Sequence, residues 1–197
     1  MNKTILVFIN GHAGVGKDTF VNFCKDYAEK EKSCKVYNVH RSDAPKMALQ
    51  TLGWSGEKDK DTRELLKDMV DFMEKKGLLN RYLDTHIRSS KATNSCDSII
   101  FYHVRDPEVM YGLMDEYIDR EGVRPISLLL KRDIDKPEEP NEWWGNLENG
   151  DYTMSIQLPP CDLNASAEVA KHFVDFLIDS EWSIVKQEGA ESWITSI

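Results

Sequence analysis

Gly11-His12-Ala13-Gly14-Val15-Gly16-Lys17-Asp18-Thr19 follows the apolar run Thr4-Ile5-Leu6-Val7-Phe8-Ile9. It opens a segment, Asp18 to Ala28, in which Phe20, Phe23, Cys24 and Tyr27 recur at helical spacing. A strand, a glycine-rich loop and a helix in that order gather backbone N–H groups around a phosphate. Glycines reach conformations closed to other residues, so successive N–H groups turn inward, and the helix adds its N-terminal dipole to the same anion site. Lys17 then brings a full positive charge to the outer phosphates. The spacing Gly-x4-Gly-Lys is that of a phosphate-binding loop, with Asp18 and Thr19 where a Ser or Thr hydroxyl normally stands. Gly11, Ala13, Gly14, Val15, Gly16, Lys17, Asp18 and Thr19 are therefore the first candidate binding residues.

Outward from the loop, strands alternate with helices. Cys34 to Val39 alternates apolar with polar residues and reads as a second strand. His40 to Lys46 leads into a helix marked by Met47, Leu49 and Leu52, with Ser42 or Asp43 as its cap and Pro45 in its first turn. Gly53 and Gly56 end it. The charged run Glu57 to Glu64 opens another helix, whose Leu65, Leu66, Met69, Val70 and Met73 share a side and which Gly77 stops. Leu78 to Ser89 repeats the helical spacing. Ser98 to Val104 is the clearest buried strand in mid-chain, and Arg105 and Asp106 leave its carboxyl end, where open α/β sheets bind ligands. Pro107 starts a helix through Tyr117, and Arg124 to Leu130 gives a fourth strand with Lys131, Arg132 and Asp133 at its exit. Tyr152 to Ile156 is a short fifth strand, and Ala165 to Ile178 a last helix.

This alternation predicts an α/β fold in three layers, a mostly parallel five-stranded sheet with helices on both faces. The chain reads as one domain, 1–197, with a core of 1–40, 96–131 and 151–180. A helical insertion takes about 41–95, and a lid rich in Pro, Glu, Asn and Gly takes about 132–150. The tail, 181–197, packs on the sheet edge or against a second subunit, which leaves a homodimer open.

With 197 residues, 41% of them hydrophobic and 30% charged, the composition is that of a soluble globular domain with a sizeable core. The net charge of −9 argues against a surface that tracks duplex nucleic acid, because such binding rests on neutralising many phosphates. Anionic ligands must then be captured locally. No apolar run reaches membrane-spanning length, and the N-terminus lacks the layout of a secretory signal. Cys24, Cys34, Cys96 and Cys161 are scattered without paired spacing, which indicates neither a zinc site nor a disulfide framework, and the expectation is reduced thiols in a cytoplasmic setting.

On four marks the chain resembles the P-loop kinases of small metabolites, and within them the phage-type deoxynucleoside monophosphate kinases. The marks are the Gly16-Lys17-Asp18-Thr19 loop ending, Ser42-Asp43 to Lys46, Lys58-Asp59 to Arg63, and the strand ending in Val104-Arg105. The resemblance implies a P-loop NTPase-type fold with ATP and Mg²⁺ on Gly11 to Thr19, and a nucleoside monophosphate between the helical insertion and the sheet. It implies Lys17, Asp18 and Arg105 as catalytic residues, with Arg132 closing over ATP. Arg105, Arg63, Arg41, Ser42, Asp43 and Lys46 would meet the acceptor, and Asp18 with Asp106 the metal. Such transfer needs in-line positioning and charge stabilisation and no covalent intermediate.

Three positions depart from the family's pattern. Asp18 puts a carboxylate where a hydroxyl usually meets Mg²⁺, so the ion falls to Asp18 directly, to Asp18 through water, or to Thr19. His103 stands where an acid is expected before Val104-Arg105, with Asp106 as the substitute. Between Arg132 and Gly150 the one further base is Lys136, among acids and Trp143-Trp144. Plain structural roles compete with several assignments: an ion pair for Arg105 or Arg63, helix capping for Ser42 and Asp43, and a rim position for His103. The functional readings are a (deoxy)nucleoside monophosphate kinase, a kinase of a phosphorylated non-nucleotide metabolite, and a nucleotide-binding protein without transfer. A guanine-nucleotide switch is disfavoured, since there is no Asn-Lys-x-Asp segment and Asp119-x-x-Gly122 falls at a helix end.

Overall fold

Neighbouring residues of the first strand, β1 (Thr4–Asn10), are buried on opposite sides: Ile5, Val7 and Ile9 enter one apolar cluster, Leu6 and Phe8 another. A strand buried on both faces belongs at the centre of a sheet covered twice. The computed structural model, which describes residues 3–57, 59–93, 97–133, 150–179, 183–186 and 193–196, places it there. The other strands are β2 (Lys35–His40), β3 (Ser98–His103), β4 (Val123–Arg132) and β5 (Met154–Leu158). All five run parallel in the order β2-β3-β1-β4-β5. The expected fold class is thus the one observed. The fifth strand starts two residues late because Thr153 exchanges hydrogen bonds with the Ser127 hydroxyl, its N–H donating at 2.8 Å, before the ladder begins.

The helices are α1 (Lys17–Glu31), α2 (Asp43–Thr51), α3 (Lys60–Lys75), α4 (Leu78–Thr93), α5 (Pro107–Tyr117) and α6 (Leu163–Asp179). α1 and α6 cover the face of Ile5, Val7, Phe101 and Leu128, where the Phe20 and Phe173 rings meet at 5.6 Å. α4 and α5 cover the other face through Leu83, Ile87, Met110 and Tyr117. The segment expected as an insertion over 41–95 therefore divides. α4 is a core-layer helix, whereas α2 buries Pro45 and Leu49 and α3 buries no residue fully, leaving Leu65 and Phe72 exposed.

In the tail, β6 (Ser183–Lys186) and β7 (Trp193–Ser196) pair antiparallel with each other in a separate two-stranded sheet. The lid expected over 132–150 falls, for 134–149, outside the described residues, as do Lys58 and Cys96. Among the described residues no helix is long and apolar enough to cross a membrane.

Candidate functional site

The loop begins on Asn10, a buried polar residue at the end of the central strand. Its Oδ1 accepts from Gly11 N at 2.7 Å, while its Nδ2 donates to the Arg105 carbonyl at 3.1 Å and to the Tyr152 hydroxyl at 3.0 Å. One amide thus ties the loop to the exit of β3 and to the approach to β5. Gly11 has φ +145°, and a Cβ there would stand 2.4 Å from the Leu130 carbonyl oxygen, so β4 excludes any side chain. Val15 is buried beneath the loop, and Gly16, at φ +97°, is the residue from which α1 starts, its carbonyl accepting from Phe20 N at 2.9 Å. From β1 the chain leaves toward β2, and from β4 toward β5 on the other side. The loop therefore lies at the carboxyl end where connections diverge, the place open α/β sheets reserve for ligands.

Cations collect around it. Lys17 Nζ donates to the Gly11 and His12 carbonyl oxygens at 2.5 and 2.9 Å. Burial first, and then the Arg105 charge, lower its amine to about 8 against the opposing pull of Asp18. From the end of β4, Arg132 donates to the Ser166 hydroxyl at 3.2 Å, and its guanidinium comes within 3.4 Å of where a side chain on Gly16 would begin. Its buried Nε has no hydrogen-bond partner among the described residues. The structure thus brings together Lys17, Arg105 and Arg132 of the expected site.

Beside the loop stands a group the sequence did not announce. In the parallel register His40 lies opposite His103, and their rings stack with centroids 3.9 Å apart. Both approach Asp18 at the start of α1: His40 Nε2 at 3.1 Å and His103 Nε2 at 3.8 Å from Oδ1. Asn38, on the same face of β2 as His40, donates to Asp18 Oδ1 at 3.1 Å, and its own Oδ1 lies 2.7 Å from His103 Nε2. Burial, followed by the His40 charge, takes His103 down to about 3, so its ring is neutral at neutral pH. For Asp18, burial works upward but is outweighed by the Asn38 hydrogen bond and by His103, His40 and Lys17, which hold its carboxyl below the usual range.

The remaining candidates spread outward. Arg41 Nη2 pairs with Glu74 of α3 at 2.6 Å. Ser42 occupies the position before α2 without a side-chain cap bond, whereas Asp43 accepts from His40 N at 2.8 Å and pairs with Lys46 at 3.4 Å. Arg63 is exposed on the first turn of α3, behind the Asp59 cap. Asp106 caps α5 by accepting from Glu108 N at 2.9 Å, a local use that accounts for an acid at that position. Among the described residues, the group bringing three potential metal ligands within 4.8 Å of one another is Asp18, His40 and His103, and Asp106 is not in it.

No protein-family model and no curated protein matches the sequence. Solved structures do match in fold. A candidate kinase from Chloroflexus aurantiacus J-10-fl superposes with a TM-score of 0.52 at 14% identity, over 89% of this chain and 98% of that one. The tunicamycin resistance protein of Deinococcus radiodurans gives a TM-score of 0.50 at 15% identity, over 92% and 99%. The likeness is one of fold: a three-layer α/β architecture around a parallel five-stranded sheet.

Proposed function

We propose that the chain is a P-loop kinase that transfers the γ-phosphoryl group of ATP to a (deoxy)nucleoside monophosphate. The observation that carries this reading is the meeting of Lys17, Arg105 and Arg132 at a glycine loop on the carboxyl end of the central strand. A buried Arg132 Nε without a hydrogen-bond partner among the described residues, and a Lys17 amine lowered first by burial and then by the Arg105 charge, describe a water-poor site rich in positive charge, which suits a polyphosphate. Lys17 would exchange the Gly11 and His12 carbonyls for phosphate oxygens, Arg132 would close over the donor, and Arg105 would hold the acceptor phosphate. Mg²⁺ suits the oxygen donors of Asp18 and Thr19 and, when bound, neutralises charge on the donor phosphates. Arg41, Ser42, Asp43, Lys46 and Arg63 lie on the acceptor side in this reading.

ADP release measured by a coupled assay across nucleoside monophosphates, with Lys17→Ala as control, tests it. Transfer to at least one monophosphate, lost in the variant, is the expected result. Tight ATP binding with no transfer to any of them overturns the reading.

A further inference from the structure

We propose that Asp18, His40 and His103 form a site for a divalent transition-metal ion of the zinc or cobalt type, which shares Asp18 with any Mg²⁺ that accompanies a nucleotide and differs from it in its two imidazole donors. The site is a product of sheet register. β2 and β3 run parallel with His40 opposite His103, each the last residue of its strand, so both rings stand on the α1 face at the same height. Their stacking, with planes 19° apart, sends both Nε2 atoms toward the first turn of α1, where Asp18 supplies Oδ1 at 3.1 and 3.8 Å.

Those distances suit an ion. With ligand bonds of about 2.0–2.2 Å, neighbouring donors around a tetrahedral ion sit roughly 3.3 Å apart, so the cluster needs a small closure and a wider ring tilt. His103 is buried and His40 half-buried, whereas the Asp18 side chain is 66% exposed, which gives an entry path and leaves coordination positions for water or a phosphate oxygen. Asn38 already orients the group from behind. It holds Asp18 Oδ1 through Nδ2, and the ion would take over the His103 Nε2 that now meets Asn38 Oδ1. The donor set also discriminates. Mg²⁺ prefers oxygen and keeps its waters, while two imidazoles and a carboxylate suit zinc, cobalt and their neighbours.

Nothing in this argument requires the kinase reading, and the test omits nucleotide. The full chain, stripped with chelator, is titrated with Co²⁺ and followed by its visible d–d absorption, with Zn²⁺ as competitor. One equivalent should bind with the enhanced absorption of a low-coordinate site and be displaced by Zn²⁺ and not by Mg²⁺. His40→Gln, His103→Gln and Asp18→Asn should each weaken binding roughly tenfold or more, with His172→Gln as the unaffected control. Circular dichroism reports folding, and His40→Gln, on a half-buried ring, carries the test if His103→Gln fails to fold. Saturation unchanged in these variants, sulfur charge-transfer bands that mark a cysteine site, or no binding above that of hexaaqua Co²⁺ overturns the proposal. A chain that binds Co²⁺ here without phosphoryl transfer overturns the kinase reading alone. A chain that transfers phosphate with Mg²⁺ and ignores Co²⁺ overturns this site alone.

Discussion

Asn10 and Gly11 show how unequal adjacent residues of one loop can be. Removing the Asn10 amide leaves Gly11 N, the Arg105 carbonyl and the Tyr152 hydroxyl without it, in surroundings where water replaces it poorly. Asn10→Ala should cost about 2–4 kcal/mol in urea unfolding, since orphaned buried polar groups keep their full desolvation penalty. Asn10→Asp, which preserves the acceptor for Gly11 N and loses both donations, should not restore it. The glycines divide in the same way. At Gly11 a methyl group meets the Leu130 backbone oxygen, whereas at Gly14, with φ +79°, it meets nothing within 4 Å. Gly14→Ala should therefore cost only the left-handed backbone term, about 1 kcal/mol, and Gly11→Ala clearly more, a ranking that thermal melts of the two variants would check. The loop was legible because its residues are contiguous and their spacing is the signal. Asn10 was not, because one Asn at a strand end looks like any other until its three partners are in place. Asn38, His40 and His103 were invisible as a group for a related reason: 65 residues separate Asn38 from His103, and register alone brings them together.

Helices were legible in existence and less so in allegiance. Asp59 caps α3 by accepting from Thr62 N at 2.7 Å, and Pro107 starts α5 as its fixed φ favours. The spacing of Leu79, Leu83 and Ile87 revealed an apolar side of α4 but not which layer it would join, and α4 proved to face the core sheet beside α5. A polar device locks that pair: Asp84 of α4 accepts from the Tyr117 hydroxyl at 2.7 Å and pairs with Arg120. Burial and then the Asp84 hydrogen bond push the Tyr117 hydroxyl upward, so it stays protonated as the donor. Asp84→Ala should cost about 1–3 kcal/mol, and adding Tyr117→Phe should cost less than the sum of the single changes because the orphaned hydroxyl is gone. Additive losses in that double-mutant cycle would show that the two side chains do not act together. On the opposite face, burial between α1 and α6 pushes the Cys24 thiol far up, while Cys161 is exposed. Peptide mapping after iodoacetamide at pH 8 should find Cys161 alkylated in the native chain and Cys24 only after denaturation.

At the scale of the whole molecule, alternation along the chain implied a parallel sheet, yet the order β2-β3-β1-β4-β5 depends on crossovers that composition does not encode. That order sets two regimes of stability. β1, flanked on both sides and covered on both faces, exposes almost nothing, whereas α3 buries no residue fully and is tied to the end of β2 by the Arg41–Glu74 ion pair. Segments with few buried apolar contacts open at lower free energy than the global unfolding. Amides of α3 should therefore exchange with deuterium well before those of β1 or α6. Glu74→Gln should speed α3 further while leaving β1 unchanged, because the substitution frees Arg41 from α3 and touches no strand. If the acceptor nucleotide lies between this segment and the sheet, a saturating monophosphate should slow exchange in α2 and α3, and Glu74→Gln should bind it more weakly through a looser α3. Equal protection of α3 and β1 in the free chain would mean that packing across α2 and α4 holds the segment as firmly as the core, and the insertion would then be a fixed wall of the site instead of a part that closes on it.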